Sequence, residues 1–308
     1  MILVLGGCGF IGSNFIDYIL EETDHEVVNL DSLTYAHNED MVTLKDSRYT
    51  FIGGTILNPG LLLEVMERYQ PDYIVNFAAE SHVTSSIDQP ELFMSTNTIG
   101  SYMVLEAFRA YGKGRLHHIS TDEVYGSLTK DALSFTEESP YNPSTPYAAT
   151  KAAADMLMRA WQKTYNLDIT LSSSANNYGI RQHYEKFIPL VIHSLDRGNP
   201  VTIHGDGKHS RDWLYARDHA EAIYTILTDG EAGEKYNIGA LKEINNLDLV
   251  HMIADLMGKE PNIEFISDRP ANDTRYSTNP AKIMSLGWLP RTNFNVGLEE
   301  TVRWYLEQ

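Results

Sequence analysis

The chain has one cysteine, Cys8, among its 308 residues. A single thiol excludes an internal disulfide and a zinc site built on several thiolates, and it fits a reducing, cytoplasmic setting. Basic residues are scarce too: 24 Lys and Arg stand against 42 Asp and Glu, a formal charge of -18. A phosphate-rich partner demands a basic face, so nucleic acid and an anionic membrane are excluded as partners, and any anionic ligand must be held by a few local Arg and Lys side chains. No apolar run approaches the roughly 20 residues that cross a bilayer. Met1-Ile-Leu-Val-Leu5 runs straight into glycines with no basic leader, so a soluble intracellular protein is expected. Internal repeats, low-complexity tracts and flexible linkers are missing as well, which predicts lobes that share an interface.

What is present is a hydrophobic content of 43%, enough for a folded core, in an ordered rhythm. Ile2 to Leu5 is a short apolar run closed by Gly6-Gly7, and Phe10 to Leu20 has helical apolar spacing. Val27 to Leu30, Tyr73 to Phe77 and Leu116 to Ser120 predict further buried strands. Strands alternating with helices predict an α/β fold, a Rossmann-type doubly wound parallel sheet with helices on both faces. After about residue 175 the pattern breaks at Asn176-Asn177, Gly179, Pro200, Gly205 and Gly207, and helices return at Asp218 to Thr228, Asn246 to Met257 and Val296 to Leu306. The expected division is a cofactor-binding part over 1–175 with a return segment near 213–235, and a smaller α/β substrate lobe over 176–308.

Gly7-x-Gly9-x-x-Gly12 lies between the first strand and the first helix. Missing side chains there permit a tight turn and close approach of a pyrophosphate to a helix N-terminus. Asp31 ends the next strand 19 positions after Gly12, where a carboxylate bonds ribose hydroxyls and repels the extra phosphate of NADP. The cofactor predicted is NAD, held by Gly6, Gly9, Phe10, Ile11, Gly12, Asp31 and the small residues Ala78 and Ala79 after a later strand. Cys8, inside the glycine turn, is expected to be a packed residue without a redox role.

Tyr147 opens a helix announced by Ser144-Thr145-Pro146, and Lys151 stands one turn on, on the same face. An ammonium beside a phenol is expected to lower the phenol's pKa. The phenolate can then take a sugar hydroxyl proton while hydride leaves the same carbon, and Lys151 can hold the nicotinamide ribose. Asp122 and Glu123 are adjacent carboxyl groups at a strand end; different surroundings can make one an acid and the other a base, which dehydration requires. His82, His117 and His118 lack metal-ligand spacing, so no metal is expected.

Gly6-Gly-Cys-Gly-Phe-Ile-Gly12, Ala78-Ala-Glu-Ser-His-Val83, Ser120-Thr-Asp-Glu-Val-Tyr-Gly126, Pro146-Tyr-Ala-Ala-Thr-Lys151, Asn176-Asn-Tyr-Gly179, Glu185-Lys-Phe-Ile-Pro189, Arg211-Asp-Trp-Leu214, Tyr236-Asn-Ile-Gly239 and Asp268-Arg-Pro270 together give a resemblance that runs nearly end to end. The chain resembles the extended short-chain dehydrogenase/reductases, and within them the 4,6-dehydratases of dTDP-glucose. The resemblance implies a nucleoside-diphosphate hexose substrate, C4 oxidation with Tyr147 as base and Thr121 assisting, elimination by Glu123 and Asp122, and hydride return to C6. It also implies that Ser81, His82, Asn176, Asn177, Lys186, Arg211, Asn246 and Arg269 hold the substrate. A homodimer is implied too, through helices at Gly100 to Ala110 and Tyr147 to Tyr165.

The chain departs from the family pattern at Thr55, where an Asp commonly meets adenine, at Thr84-Ser85 for Asp-Arg, at Ser173 for Arg, and at Ala271-Asn272 for Gly-His. None of these removes a proposed proton carrier; the last touches the nucleotide end. Two other readings use the same motifs: a nucleotide-sugar 4-epimerase or decarboxylase, which needs no Asp-Glu pair, and a non-catalytic NAD-binding regulator that kept the fold.

Overall fold

A computed structural model describes residues 1–308. Twelve strands are formed: β1 Ile2–Leu5, β2 Val27–Asp31, β3 Tyr49–Gly53, β4 Tyr73–Asn76, β5 Arg115–Thr121, β6 Ile169–Ser174, β7 Asn176–Tyr178, β8 Val201–His204, β9 Ser210–Tyr215, β10 Lys235–Ile238, β11 Glu243–Asn245 and β12 Ile263–Ile266. Seven of them make one sheet in the order β10-β6-β5-β4-β1-β2-β3, and every pairing in it is parallel. This is the doubly wound Rossmann-type architecture, with a switch in strand order beside β1.

The period of two along each strand decides what the sheet covers. Leu3 and Leu5 of β1 join Leu30, Ile74, Leu116 and Leu171 in a core shared with the helices Pro59–Tyr69 and Ser101–Tyr111. Ile2 and Val4 face the other way, into Phe15, Ile16 and Ile19 of the helix Phe10–Glu22 and Ala220 and Ile223 of the helix Ala216–Asp229. Both faces are therefore buried, which is why the strands have no polar alternation.

Beyond β6 the chain builds two small sheets, β11-β9-β7 and β12-β8, around a separate core of Ile188, Val191, Trp213, Leu249, Ile253 and Leu298. It crosses back to the large sheet with the helix Ala216–Asp229 and with β10, which pairs with β6 from Lys235↔Leu171 to Ile238↔Ser174. A smaller core, holding Ala175, Leu214, Tyr236 and Trp288, joins the two lobes. No helix is long and apolar enough to cross a membrane.

Candidate active site

The first turn of the site is set by glycines that cannot be replaced. Gly6 has φ +82°, and a Cβ on it would stand 2.6 Å from the Ala78 nitrogen. A Cβ on Gly12 would stand 2.5 Å from the Gly6 carbonyl oxygen, backbone against backbone. Gly9 differs, because a Cβ there meets nothing closer than 3.5 Å. Its missing side chain leaves space facing the cleft and serves a ligand more than the packing. The helix Phe10–Glu22 begins at this point with no side chain capping it, so its free N–H groups and the positive end of its dipole face the same opening. Asp31 accepts hydrogen bonds from the Cys8 N–H at 2.8 Å and the Leu33 N–H at 2.8 Å, which fixes its carboxylate at the rim. An anion on the helix end and hydroxyls on Asp31 are what this arrangement suits, so the residues present fit a dinucleotide.

The cleft has a volume of about 450 Å³ and runs from Asp31 to the end of β5. The expected residues Gly6, Gly9, Phe10, Ile11, Gly12, Asp31, Ala78 and Ala79 line it, together with Ser81, Thr121, Asp122, Glu123, Tyr147, Lys151, Asn176, Asn177 and Lys186. Cys8 lies beneath the turn; burial and the nearby Asp31 carboxylate push its thiol up to about 12, so it is an inert packing group. Glu80, Gln182, His183 and Glu185 also line the cleft. None of them was among the expected site residues, although Glu185 stands in the Glu185-Lys-Phe-Ile-Pro189 run. Glu185 accepts the Tyr35 hydroxyl at 2.8 Å, which ties the loop after β2 to the second lobe.

β5 ends at Thr121, and Asp122–Tyr125 turns as a 3-10 helix whose first backbone N–H groups need an acceptor. The Thr121 hydroxyl supplies it for the Glu123 N–H at 3.3 Å. This turn separates the two carboxyl groups. Asp122 is buried, one of its oxygens has no partner, and burial with the neighbouring Glu123 holds its pKa well above the usual range. Its surroundings thus favour the protonated acid. Glu123 is half-buried at the cleft; burial raises it as well, but Arg211 and Lys186 pull the other way and favour its ionised form. Both carboxyls are shifted up, Asp122 the further, and cations oppose the shift more at Glu123, which suits an acid at 122 and a base at 123.

Tyr147 and Lys151 share one face of the helix Pro146–Tyr165, which Thr145 caps by accepting the Ala148 N–H. The Lys151 ammonium donates to the Ile119 carbonyl of β5 at 2.6 Å, and burial lowers it to about 8. The expected lowering of the Tyr147 pKa is not found. Burial and then Glu123 push the phenol well up, and only the Thr121 hydroxyl opposes them. The physical reason is that Lys151 is turned to β5, while the nearest charges at the phenol are carboxylates. Tyr147 is a neutral phenol until positive charge is brought to the site.

Four expected substrate residues stand outside the lining of this cleft: His82, Arg211, Asn246 and Arg269. Arg211 on β9 is buried, donates to the carbonyls of Ser210, Thr274 and Asp273, and lies 4.3 Å over the Tyr276 ring. Arg269 reaches Thr84 Oγ1 at 3.4 Å and Asn272 Oδ1 at 3.3 Å. Two of the departures from the family pattern therefore meet at one guanidinium. Ser85, beside Thr84 in the same departure, bonds His82 Nδ1 at 2.7 Å. Asn246 begins a helix and gives its backbone N–H to the His209 carbonyl. Asn177 lies in the cleft but its amide is already engaged: Oδ1 meets His219 Nδ1 at 2.8 Å, and Nδ2 donates to Ala175 O at 3.0 Å. Its side chain shapes the wall and leaves little to offer a ligand. His117 and His118 are fully buried on β5, and His117 bonds Thr170 and Ser172 of β6.

With this geometry in place, the comparisons with known proteins agree on one family. The GDP-mannose 4,6 dehydratase family model matches residues 3–301. A dTDP-glucose 4,6-dehydratase of Haemophilus influenzae is 44% identical, over 99% of this chain and 97% of that protein. Another, of Neisseria gonorrhoeae, is 46% identical over 99% and 95%. Among solved structures, a dTDP-glucose 4,6-dehydratase of Streptomyces venezuelae with NAD bound superposes with a TM-score of 0.95 at 42% identity, covering 99% of this chain and 97% of that one. A UDP-glucose 4-epimerase of Thermus thermophilus in complex with NAD has the same fold at a TM-score of 0.92, with 28% identity and coverage of 99% and 98%. The chain belongs to the GDP-mannose 4,6 dehydratase family, a branch of the extended short-chain dehydrogenase/reductases.

Proposed function

We propose that the protein is an NAD-dependent lyase of the dTDP-glucose 4,6-dehydratase type, converting dTDP-glucose or a related nucleoside-diphosphate hexose to its 4-keto-6-deoxy sugar. The observation that carries this reading is the Asp122–Glu123 pair at the end of β5, one carboxyl favoured in its protonated form and the other flanked by cations, in the same cleft as Tyr147 and Lys151. The relatives' activity and the NAD in their structures support it.

The glycine turn, the end of the helix Phe10–Glu22 and Asp31 hold the cofactor, and Lys151 holds its nicotinamide ribose. Bound NAD would supply a cationic hydride acceptor for the C4 oxidation and, once reduced, the hydride donor for C6. With the positive charge of bound NAD beside it, Tyr147 would first release its own proton to solvent, and the phenolate then takes the 4-hydroxyl proton, with Thr121 hydrogen-bonding beside it. The resulting ketone acidifies the C5 hydrogen, which Glu123 removes, while Asp122 protonates the departing 6-hydroxyl as water; Glu123 gives its proton back to C5 when hydride reaches C6. Lys186, Arg211 and Arg269 supply the local positive charge for the diphosphate that so acidic a chain must concentrate in one place.

A homodimer is part of the proposal. Leu92, Met94, Ile99, Tyr102, Met156 and Tyr165 form exposed apolar positions on and beside the helices Ser101–Tyr111 and Pro146–Tyr165. The cytoplasm suits a chain whose one thiol is unpaired. Residues 1–175, with the later helix and strand over 216–238, are taken as the cofactor-binding part. The test is incubation with dTDP-glucose, UDP-glucose and GDP-mannose. A product lighter by one water supports dehydration, an isomer of unchanged mass supports epimerisation, and no product from any of them rejects the enzyme.

A further inference from the structure

One buried charge cluster is not used by the chemistry above. Tyr147, Lys151 and Asp155 follow one another at four-residue steps on one face of their helix. Asp155 is fully buried. Its Oδ2 accepts the Tyr141 hydroxyl at 2.7 Å and the Lys235 ammonium at 3.2 Å. Lys235, 2% exposed on β10, donates to the Tyr141 hydroxyl at 2.6 Å and lies 4.5 Å and 4.4 Å over the rings of Tyr125 and Tyr141. The other Asp155 oxygen, Oδ1, has no hydrogen-bond partner and lies 3.9 Å from His118 Nε2 of β5, the strand on whose Ile119 carbonyl Lys151 rests.

A buried ion pair loses the hydration of both charges, and apolar residues of equal size often serve stability as well or better. The pair here therefore calls for a role other than cohesion. We propose that Asp155 is a positioning residue, the middle of a buried cation–anion–cation row Lys235–Asp155–Lys151, which keeps Lys151 charged where it meets the cofactor. Lys235 and the Tyr141 hydroxyl fix the Asp155 carboxyl group in place, and Asp155 in turn holds the proton on Lys151.

The surroundings of Lys151 leave Asp155 alone in this task. From β5, His118 is held well below its usual range by burial and by Lys151 itself, so it is neutral. From the turn after β5, Glu123 and Asp122 both act on Tyr147. From β10 comes Lys235, a cation, and from the same helix Arg159 faces outward over Tyr141. Burial drives Lys151 toward its neutral form, and Asp155 is the charge that opposes it.

The proposal rests on the cofactor role given to Lys151, so it is tested by NAD affinity as a function of pH, without any sugar. The proteins are the wild type, Asp155→Asn, the double variant Asp155→Asn/Lys235→Gln, and Tyr141→Phe. Loss of the opposing buried charge is expected to move the alkaline fall in NAD affinity down by about one pH unit in Asp155→Asn. With a midpoint near 8 in the wild type, affinity at pH 8 then drops about fivefold and is nearly unchanged at pH 6. The double variant also removes the Lys235 charge that Asp155→Asn would strand, and it shifts in the same direction, which keeps the test available if the single variant unfolds. Tyr141→Phe removes a hydrogen bond to the same oxygen but no charge, and leaves the midpoint in place. An equal loss at every pH, no shift in either Asn variant, or the same shift in Tyr141→Phe would overturn the proposal. Absence of sugar turnover in the wild type would instead count against the dehydratase reading and leave this result intact.

Discussion

Acid should loosen this fold through its buried histidines, and His219 gives the clearest measurement. It lies on the helix Ala216–Asp229, fully buried, with Nδ1 on Asn177 Oδ1 and Nε2 without a partner. Burial lowers its pKa from 6.5 to about 3. A proton binds the unfolded chain below 6.5 but not the folded one, so the stability is fully present above that value and is lost as pH falls toward 3. Each pH unit in that window is worth about 1.4 kcal/mol for one proton. From neutral pH down to pH 5 the wild type should therefore lose about 2 kcal/mol on account of this one side chain.

Other groups titrate in the same range and some oppose it, so the quantity to measure is a difference. His219→Gln keeps an amide to face Asn177 and removes the titration. Unfolding free energies of wild type and variant, from denaturant curves at several pH values, should run parallel above pH 7. Below pH 6 they should converge by about 1.4 kcal/mol per unit. Curves that stay parallel to pH 5 would refute the argument, because His219 would then be protonated in the fold or already neutral in the unfolded chain.

Three further outcomes are expected. Glu123→Gln removes the base flanked by Arg211 and Lys186, so turnover should fall about 10²–10⁴-fold while C4 oxidation survives, and reduced cofactor should accumulate in the absorbance spectrum; normal turnover would reject the role. Asp122→Asn should abolish turnover yet raise the melting temperature at neutral pH. The raised pKa of Asp122 means the fold binds a proton that the unfolded chain releases, so its cost is present at neutral pH and disappears as pH falls toward 3.8; a variant that melts lower at neutral pH contradicts this. Charged substitutions at Tyr102 and Met156 together should halve the mass seen in light scattering, and an unchanged mass would move the dimer interface elsewhere.

The cofactor side of the site was legible because its signals are local. A strand, a glycine turn and a helix lie within 22 residues, and Gly6 and Gly12 are forced by backbone contacts inside that stretch. β6 was hidden, because Ile169-Thr-Leu-Ser-Ser-Ser174 has too many hydroxyls to look buried. Those hydroxyls exist for a partner far off in sequence: Thr170 and Ser172 bond the His117 ring on β5. β10 was hidden for a like reason, since Lys235 enters the core only by meeting Asp155 and two tyrosine rings. The helical pairing of Tyr147 with Lys151 was readable from spacing, but not the electrostatics. Shared helix face suggested that the ammonium would acidify the phenol, whereas the long-range contact with Ile119 turns it aside. Nor could sequence place Thr84 and Asn272 on one guanidinium, because 188 positions separate them.

Cys8 gives the molecule a built-in reporter. It is the chain's one thiol, it is fully shielded, Asn29 Nδ2 donates to its sulfur at 3.3 Å, and burial keeps it in the unreactive form. Alkylating reagents can reach it only when the glycine turn opens. The rate at which a thiol reagent labels the protein thus counts openings of the cofactor site directly, one label per molecule, with no engineered probe.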